Sequence, residues 1–204
     1  MGDPKFSRAR YERPSHPWEG ERIKAENELL KKYGLKNKKE LWRSQYTLRR
    51  FRQRARELQA RVRTGDRQAE KEREQLLRRL GRLGLLPLEG TSLDDVLALD
   101  VEALLSRRLQ TLTFLKGLAF TPRQARQFIV HGHVSVSGRR VTIPGYVVSR
   151  TEENAIVYDE RSPIANELHP ARPGSQMPAP PAEGEEVPEG GEEPPTGEGG
   201  GEGA

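Results

Sequence analysis

The sequence predicts an α+β protein: a basic arm, a mainly helical segment, a small module of two helices plus a small antiparallel sheet, and a tail with little to bury. Three observations predict it. Residues 106–149 read as a short helix, a turn, a second helix and a hairpin. Residues 38–63 carry an apolar stripe at steps of three and four, as a long helix with one buried face does. Beyond residue 172 the chain is mostly Pro, Gly and Glu, too poor in apolar surface to offset the entropy of ordering, so disorder is expected there. The expected segments are 1–37, 38–103, 104–165 and 166–204.

In chain order, residues 6–17 are basic, with Arg8 and Arg10, and Pro14 and Pro17 interrupt any regular structure. So few apolar residues do not fold alone. A helix over residues 19–32 is expected to stop at Gly34, and Asn37 is placed to cap the next. That next helix, residues 38–63, turns Leu48, Phe51, Ala55, Leu58 and Val62 to one side. Arg43, Arg49, Arg50, Arg52, Arg54, Arg56, Arg61 and Arg63 occupy its other faces, with Glu57 the only acid among them. A coiled coil has the same stripe but interleaves both signs of charge. Eight like charges in 21 residues repel each other unless phosphates neutralise them. Thr64-Gly65-Asp66 breaks the pattern. A mixed-charge helix follows, with Ala69, Leu76, Leu77, Leu80 and Leu83 apolar; it reads as a packing partner and ends on Gly84.

After Pro87, Ser92 heads an acidic first turn with Asp94 and Asp95. Asp100 is placed to cap the helix leading to Arg107-Arg108, and acids at helix N-termini complement the dipole. Thr121 caps a further helix, with Pro122 at its first position and Gln124 completing a T-x-x-Q capping box. Ala125, Phe128 and Ile129 form its apolar face, leaving Arg123, Arg126 and Gln127 off that stripe. Gly132 is suited to end it. Val134 and Val136, a tight turn at Ser137-Gly138, then Val141 and Ile143 read as a hairpin. Residues 146–148 and 155–158 read as a second strand pair around Glu152-Glu153-Asn154.

Charge divides the chain. The formal net charge of +5 hides +13 on residues 1–86, balance over 87–172, and eight Glu without a cation over 173–204. That asymmetry points to a polyanion gripped by the N-terminal half, nucleic acid above all. The tail reads as a solvating segment, with competition for the basic surface as the alternative. A hydrophobic content of 33% supports a modest core. Cys is absent, so no disulfide framework or thiolate metal site is expected. No apolar run approaches the ~20 residues of a membrane span. Met1-Gly2-Asp3-Pro4-Lys5 opens no secretion signal, so a cytoplasmic protein is expected. Walker, G-x-S-x-G and dinucleotide motifs are missing. His131 and His133 have no carboxylate pair at ligand spacing, so they suit phosphate or ribose better than a metal. A non-enzyme without catalytic residues, metal or cofactor is the expectation.

Residues 117–141, GLAFTPRQARQFIVHGHVSVSGRRV, resemble the S4 RNA-binding module. That module occurs in ribosomal proteins, some pseudouridine synthases, some tyrosyl-tRNA synthetases and a heat-shock ribosome-binding protein. The likeness rests on Arg108-Leu109, Gly117-Leu118-Ala119, Ala125-Arg126-Gln127 and the Gly-x-Val-x-Val-x-Gly hairpin over residues 132–138. Two departures are Thr121-Pro122, where the family commonly has Ser-Arg, and Ser137, where it has Asn. Upstream, HPWE (16–19) and KYGLKNKKELWR (32–43) resemble the opening of the archaeal type of the small-subunit ribosomal protein S4 family. The resemblance spans about residues 5–165. It implies a primary binder of small-subunit rRNA in the 5′ domain, acting early in assembly, with neighbouring ribosomal proteins and mRNA at the entry path as further partners. It also implies a role in translational accuracy and a ribosome-bound, cytoplasmic protein.

The implied RNA contacts come from the arm (Arg8, Arg10), from the long helix (Arg43, Arg49, Arg50, Arg52, Arg54, Arg56) and from the module. In the module they are Arg107, Arg108, Thr121, Arg123, Gln124, Arg126, Gln127, His131, His133, Ser137, Arg139 and Arg140. Recognition is expected to be mostly of shape, with phosphate contacts fixing register. A free-standing heat-shock-type factor is an alternative, against which residues 5–86 speak. A coiled-coil scaffold with no RNA role is another.

Overall fold

A computed structural model describes residues 11–166 and 169–173; Arg8, Arg10 and the tail from residue 174 lie outside them. The chain runs α1 (Gly20–Lys32), α2 (Lys38–Arg63), α3 (Arg67–Arg82), α4 (Leu93–Ala98), α5 (Val101–Ser106), α6 (Leu109–Leu115) and α7 (Pro122–His131). The strands β1 (Val134–Val136), β2 (Arg139–Arg140) and β3 (Ile156–Tyr158) follow. Helices in front of a small antiparallel sheet are the α+β arrangement expected.

Capping sets most of the helix starts. Asn37 Oδ1 accepts from Glu40 N at 3.2 Å, and Thr121 Oγ1 from Gln124 N at 3.1 Å. Ser92 and Asp95 form a reciprocal capping box. The box expected at Thr121 is shifted by one residue: Gln124 Oε1 accepts from Phe120 N at 2.7 Å. Asp100 makes no capping bond; its carboxylate lies 4.0 Å from Arg52.

Three apolar clusters hold the chain. Leu48, Ala55 and Leu58 of α2 pack with Ala69 and Leu80 of α3 and Val96 of α4. Each fully buried leucine contributes about 1.5–3 kcal/mol. The apolar stripe of α2 is thus largely covered by its own chain, with Phe51 and Val62 partly buried. A second cluster joins Leu109, Ala125, Phe128 and Ile129 to Val134, Val148 and Ile156. The third, Tyr33, Leu35, Leu41 and Leu105, sits where the helical part meets the module.

The sheet differs from its sequence reading. β1 is central, with Ser135 opposite Arg140 on one edge and opposite Val157 on the other. All three β1 residues are buried, so the alternation of V-S-V in the sequence is not matched by an alternation of exposure. The returning strand is Arg139–Arg140, and Val141 N still donates to Val134 O at 3.3 Å, but the pairing stops short of Ile143, which is left exposed. Ser137 and Gly138 both take positive φ, 51° and 74°, which matches the twist of a tight two-residue hairpin. Residues 146–148 do not pair with β3. They run along the corner between α5 and α6, where Leu109 N donates to Tyr146 O at 2.7 Å and Val148 N to Arg107 O at 3.0 Å. Backbone groups of that corner need partners, and this segment supplies them.

Gly34 makes the corner between α1 and α2 at φ +59°, and a Cβ there would come within 2.8 Å of Pro122 Cβ. Gly34→Ala is expected to cost about 1–3 kcal/mol, read from the urea midpoint. An unchanged midpoint would show that this corner yields freely.

Candidate nucleic-acid interface

A helix turns about 100° per residue, so the arginines of α2 sort into two flanks on either side of its buried stripe. Arg43, Arg50, Arg54 and Arg61 fall on one flank; Arg49, Arg52, Arg56 and Arg63 fall on the other. Neighbouring elements supply acids that the sequence of α2 does not reveal. Arg49 pairs with Glu12, and Arg54 with Glu72 and Glu57. Arg61 pairs with Asp66 at 2.6 Å, and Arg52 donates to Leu99 O beside Asp100. Glu57 is the only acid along the stretch but not the only one beside it. Arg43, Arg50, Arg56 and Arg63 are exposed and have no side-chain partner among the described residues. The eight arginines are therefore half neutralised within the fold.

A further cationic surface lies on α3: Arg78, Arg79 and Arg82 line a groove with Arg54, Glu72, Leu76 and the exposed Leu88, Arg78 pairing with Glu74 at 3.4 Å. The signal was present in the last turns of α3, where three arginines follow Glu74 with no further acid.

In the module, the expected residues separate into two groups. Arg123, Gln127, His131, Ser137 and Arg139 are exposed, as is Thr121, whose hydroxyl caps α7. The rest are engaged by the fold. Arg107 holds Glu153 at 2.8 Å and Val148 O at 3.3 Å. Gln124 Nε2 donates to Ala171 O at 3.0 Å, and Arg140 Nε to Gly132 O at 2.6 Å. Arg108, 6% exposed, is withdrawn from solvent altogether. It meets Glu40, which also receives Arg126.

That meeting is a largely buried clamp of two guanidinium groups on one carboxylate. Arg108 Nη2 donates to Glu40 Oε2 at 2.8 Å, Arg126 Nη2 to Glu40 Oε1 at 2.7 Å and Arg126 Nη1 to Glu40 Oε2 at 3.1 Å. Burial raises the pKa of Glu40, but the hydrogen bond from Arg126 and the charge of Arg108 outweigh it and hold the carboxyl below its ordinary range. Gln110 completes the junction: its Nε2 faces Tyr33 O, Gly34 O and Pro122 O at 2.9–3.1 Å. Neither Glu40 nor Gln110 stood out in the sequence, because their partners lie far along the chain.

His133 Nδ1 lies 2.8 Å from Ser162 Oγ, with His131 stacked at 6.0 Å. Burial, then His131 and Arg140, push its pKa down, so folding disfavours the charged ring. The unfolded chain then binds the extra proton, so stability is complete above about pH 6.5 and falls as pH drops through that value. His133→Gln is expected to flatten the melting temperature between pH 7 and pH 5; an unchanged slope would assign the loss to other groups. No group of three or more His, Asp or Glu that could hold a metal ion occurs among the described residues. No helix among them is long and apolar enough to cross a membrane.

A helix pair packed on a small antiparallel sheet, with cations on its outer face, defines the class: the S4 domain family model matches residues 107–154. Relatives extend the match well beyond that module. Small ribosomal subunit protein uS4 of Thermoplasma acidophilum is 56% identical over 88% of this chain and 89% of its own length. The same protein of Methanococcus aeolicus is 53% identical over 86% of this chain and 97% of its own. That of Picrophilus torridus is 54% identical over 84% and 93%. The chain belongs to the small ribosomal subunit protein uS4 family, a family of structural, non-enzymatic ribosomal proteins.

Proposed function

We propose that this chain is a structural constituent of the small ribosomal subunit, bound in the cytoplasm to small-subunit rRNA. It would nucleate folding of the 5′ domain, contact neighbouring ribosomal proteins, and influence accuracy near the mRNA entry path. One observation supports this most directly: exposed arginines without side-chain partners among the described residues stand both on α2 (Arg43, Arg50, Arg56, Arg63) and on the module (Arg123, Arg139). Cations left unpaired by the fold are free to neutralise phosphates. The reading places the RNA contacts on these six, on Gln127, His131 and Ser137, and on the Arg78–Arg79–Arg82 groove. It removes Arg108, whose charge is spent inside the protein. Arg8 and Arg10 stay in the proposal on the resemblance alone.

Cell extract resolved by sedimentation, followed by ultraviolet crosslinking, tests this. The protein is expected to co-migrate with 30S particles and to yield nucleotide adducts on α2 and on α7. Adducts to polypeptide alone would overturn the reading.

A further inference from the structure

Between α2 and the loop after β2 lies a cleft of about 370 Å³, room enough for a small planar group. Its floor is the Glu40 clamp with Arg108 and Arg126; the loop adds Ile143 and Pro144, and α2 adds Arg43, Ser44 and Thr47. Three properties narrow what it takes. Ile143 is 63% exposed, so among the described residues an apolar ledge stands largely uncovered at the cleft. The clamp carboxylate is saturated by two guanidinium groups, while Arg43 is exposed and unpaired among the described residues, which leaves the lining net positive. Ser44 Oγ already donates to Glu40 O at 3.3 Å and Thr47 Oγ1 to Arg43 O at 2.9 Å. While those bonds are kept, each hydroxyl offers a ligand its acceptor lone pairs.

An apolar face, an amino group for two acceptors and an anion for a free arginine describe one kind of occupant. We infer that the cleft takes a single unstacked nucleotide of the bound RNA carrying an exocyclic amino group. Its base lies on Ile143 and Pro144, its amino group donates to Thr47 Oγ1, and its phosphate meets Arg43. The inference rests on the rRNA-binding reading and adds a base-selective subsite to it.

A transcript of an archaeal small-subunit 5′ domain, probed with dimethyl sulfate and kethoxal, provides the test. Those reagents report the pairing edges of A, C and G. The wild-type protein is expected to protect one unpaired A, C or G that Ile143→Glu exposes again, with the rest of the footprint kept and affinity reduced roughly tenfold. Thr47→Val, which keeps the shape and removes the acceptor, is expected to release the same base. A footprint identical in all three proteins would overturn the cleft and leave rRNA binding standing. No footprint with the wild type would overturn rRNA binding itself. A benzophenone placed at position 143 that crosslinks in 30S particles to a ribosomal protein rather than to RNA would assign the cleft to a protein partner and also overturn the inference.

Discussion

Replacing Glu40 with glutamine is expected to destabilise the protein by about 3–5 kcal/mol, because it leaves the buried Arg108 guanidinium without its counter-charge. Glutamine keeps the shape but turns one of the two accepting oxygens into an N–H donor, so a loss of this size measures charge and a lost acceptor rather than packing. For a chain of this length the melting temperature would fall by roughly 10 °C. The side chain of Arg108 is 8% exposed and that of Glu40 15%, which is why the pair escapes the discount that applies to surface ion pairs. The same clamp predicts an acid transition. A carboxyl held below its ordinary pKa contributes stability that is present above the unfolded value, about 4.3, and is lost as pH falls through the folded one. Wild type should lose stability steeply below about pH 4, and Glu40→Gln less steeply, the remaining loss coming from other paired carboxyls such as Glu26. Equal stability of the two proteins at pH 7 would show that the clamp does not hold the module to the helical part.

The second large effect concerns RNA. Eight to ten phosphate contacts give a log–log salt slope of about −6 to −9 for binding to a 5′-domain transcript. Changing Arg43, Arg50, Arg56 and Arg63 together to glutamine is expected to flatten that slope by about 3 and to weaken binding by roughly 10²-fold at physiological salt. Changing the paired Arg54 and Arg61 should move the slope less, because Glu72 and Asp66 already neutralise them within the fold. Equal slopes for the two sets would mean that pairing in the free protein does not predict which arginines meet phosphate. The sequence of α7 alone suggests reversing Arg123 and Arg126 as a probe of the module. Arg126 touches Glu40, so its reversal would set two acids against each other and unsettle the fold; Arg123→Glu with Arg139→Glu is the cleaner probe.

Much of this protein is determined locally. Helical period, Asn37, Ser92 and Thr121 as caps, and the Ser137-Gly138 turn fix the helices and the hairpin turn, because each acts over about four residues or fewer. Overall charge and the stripe of α2 likewise follow from the residues themselves. Strand partners do not: a three-residue segment such as 146–148 pairs with whichever backbone groups are left unsatisfied nearby, and here those belong to the corner between α5 and α6. The same holds for the arginines. Whether a guanidinium is free or spent depends on acids brought from 68 residues away to Arg108 and 86 residues away to Arg126. Coulomb attraction acts through space and not along the chain. Sequence therefore determined that this protein is strongly cationic and what it folds into, while only the packed structure decided which of its cations remain available for a polyanion.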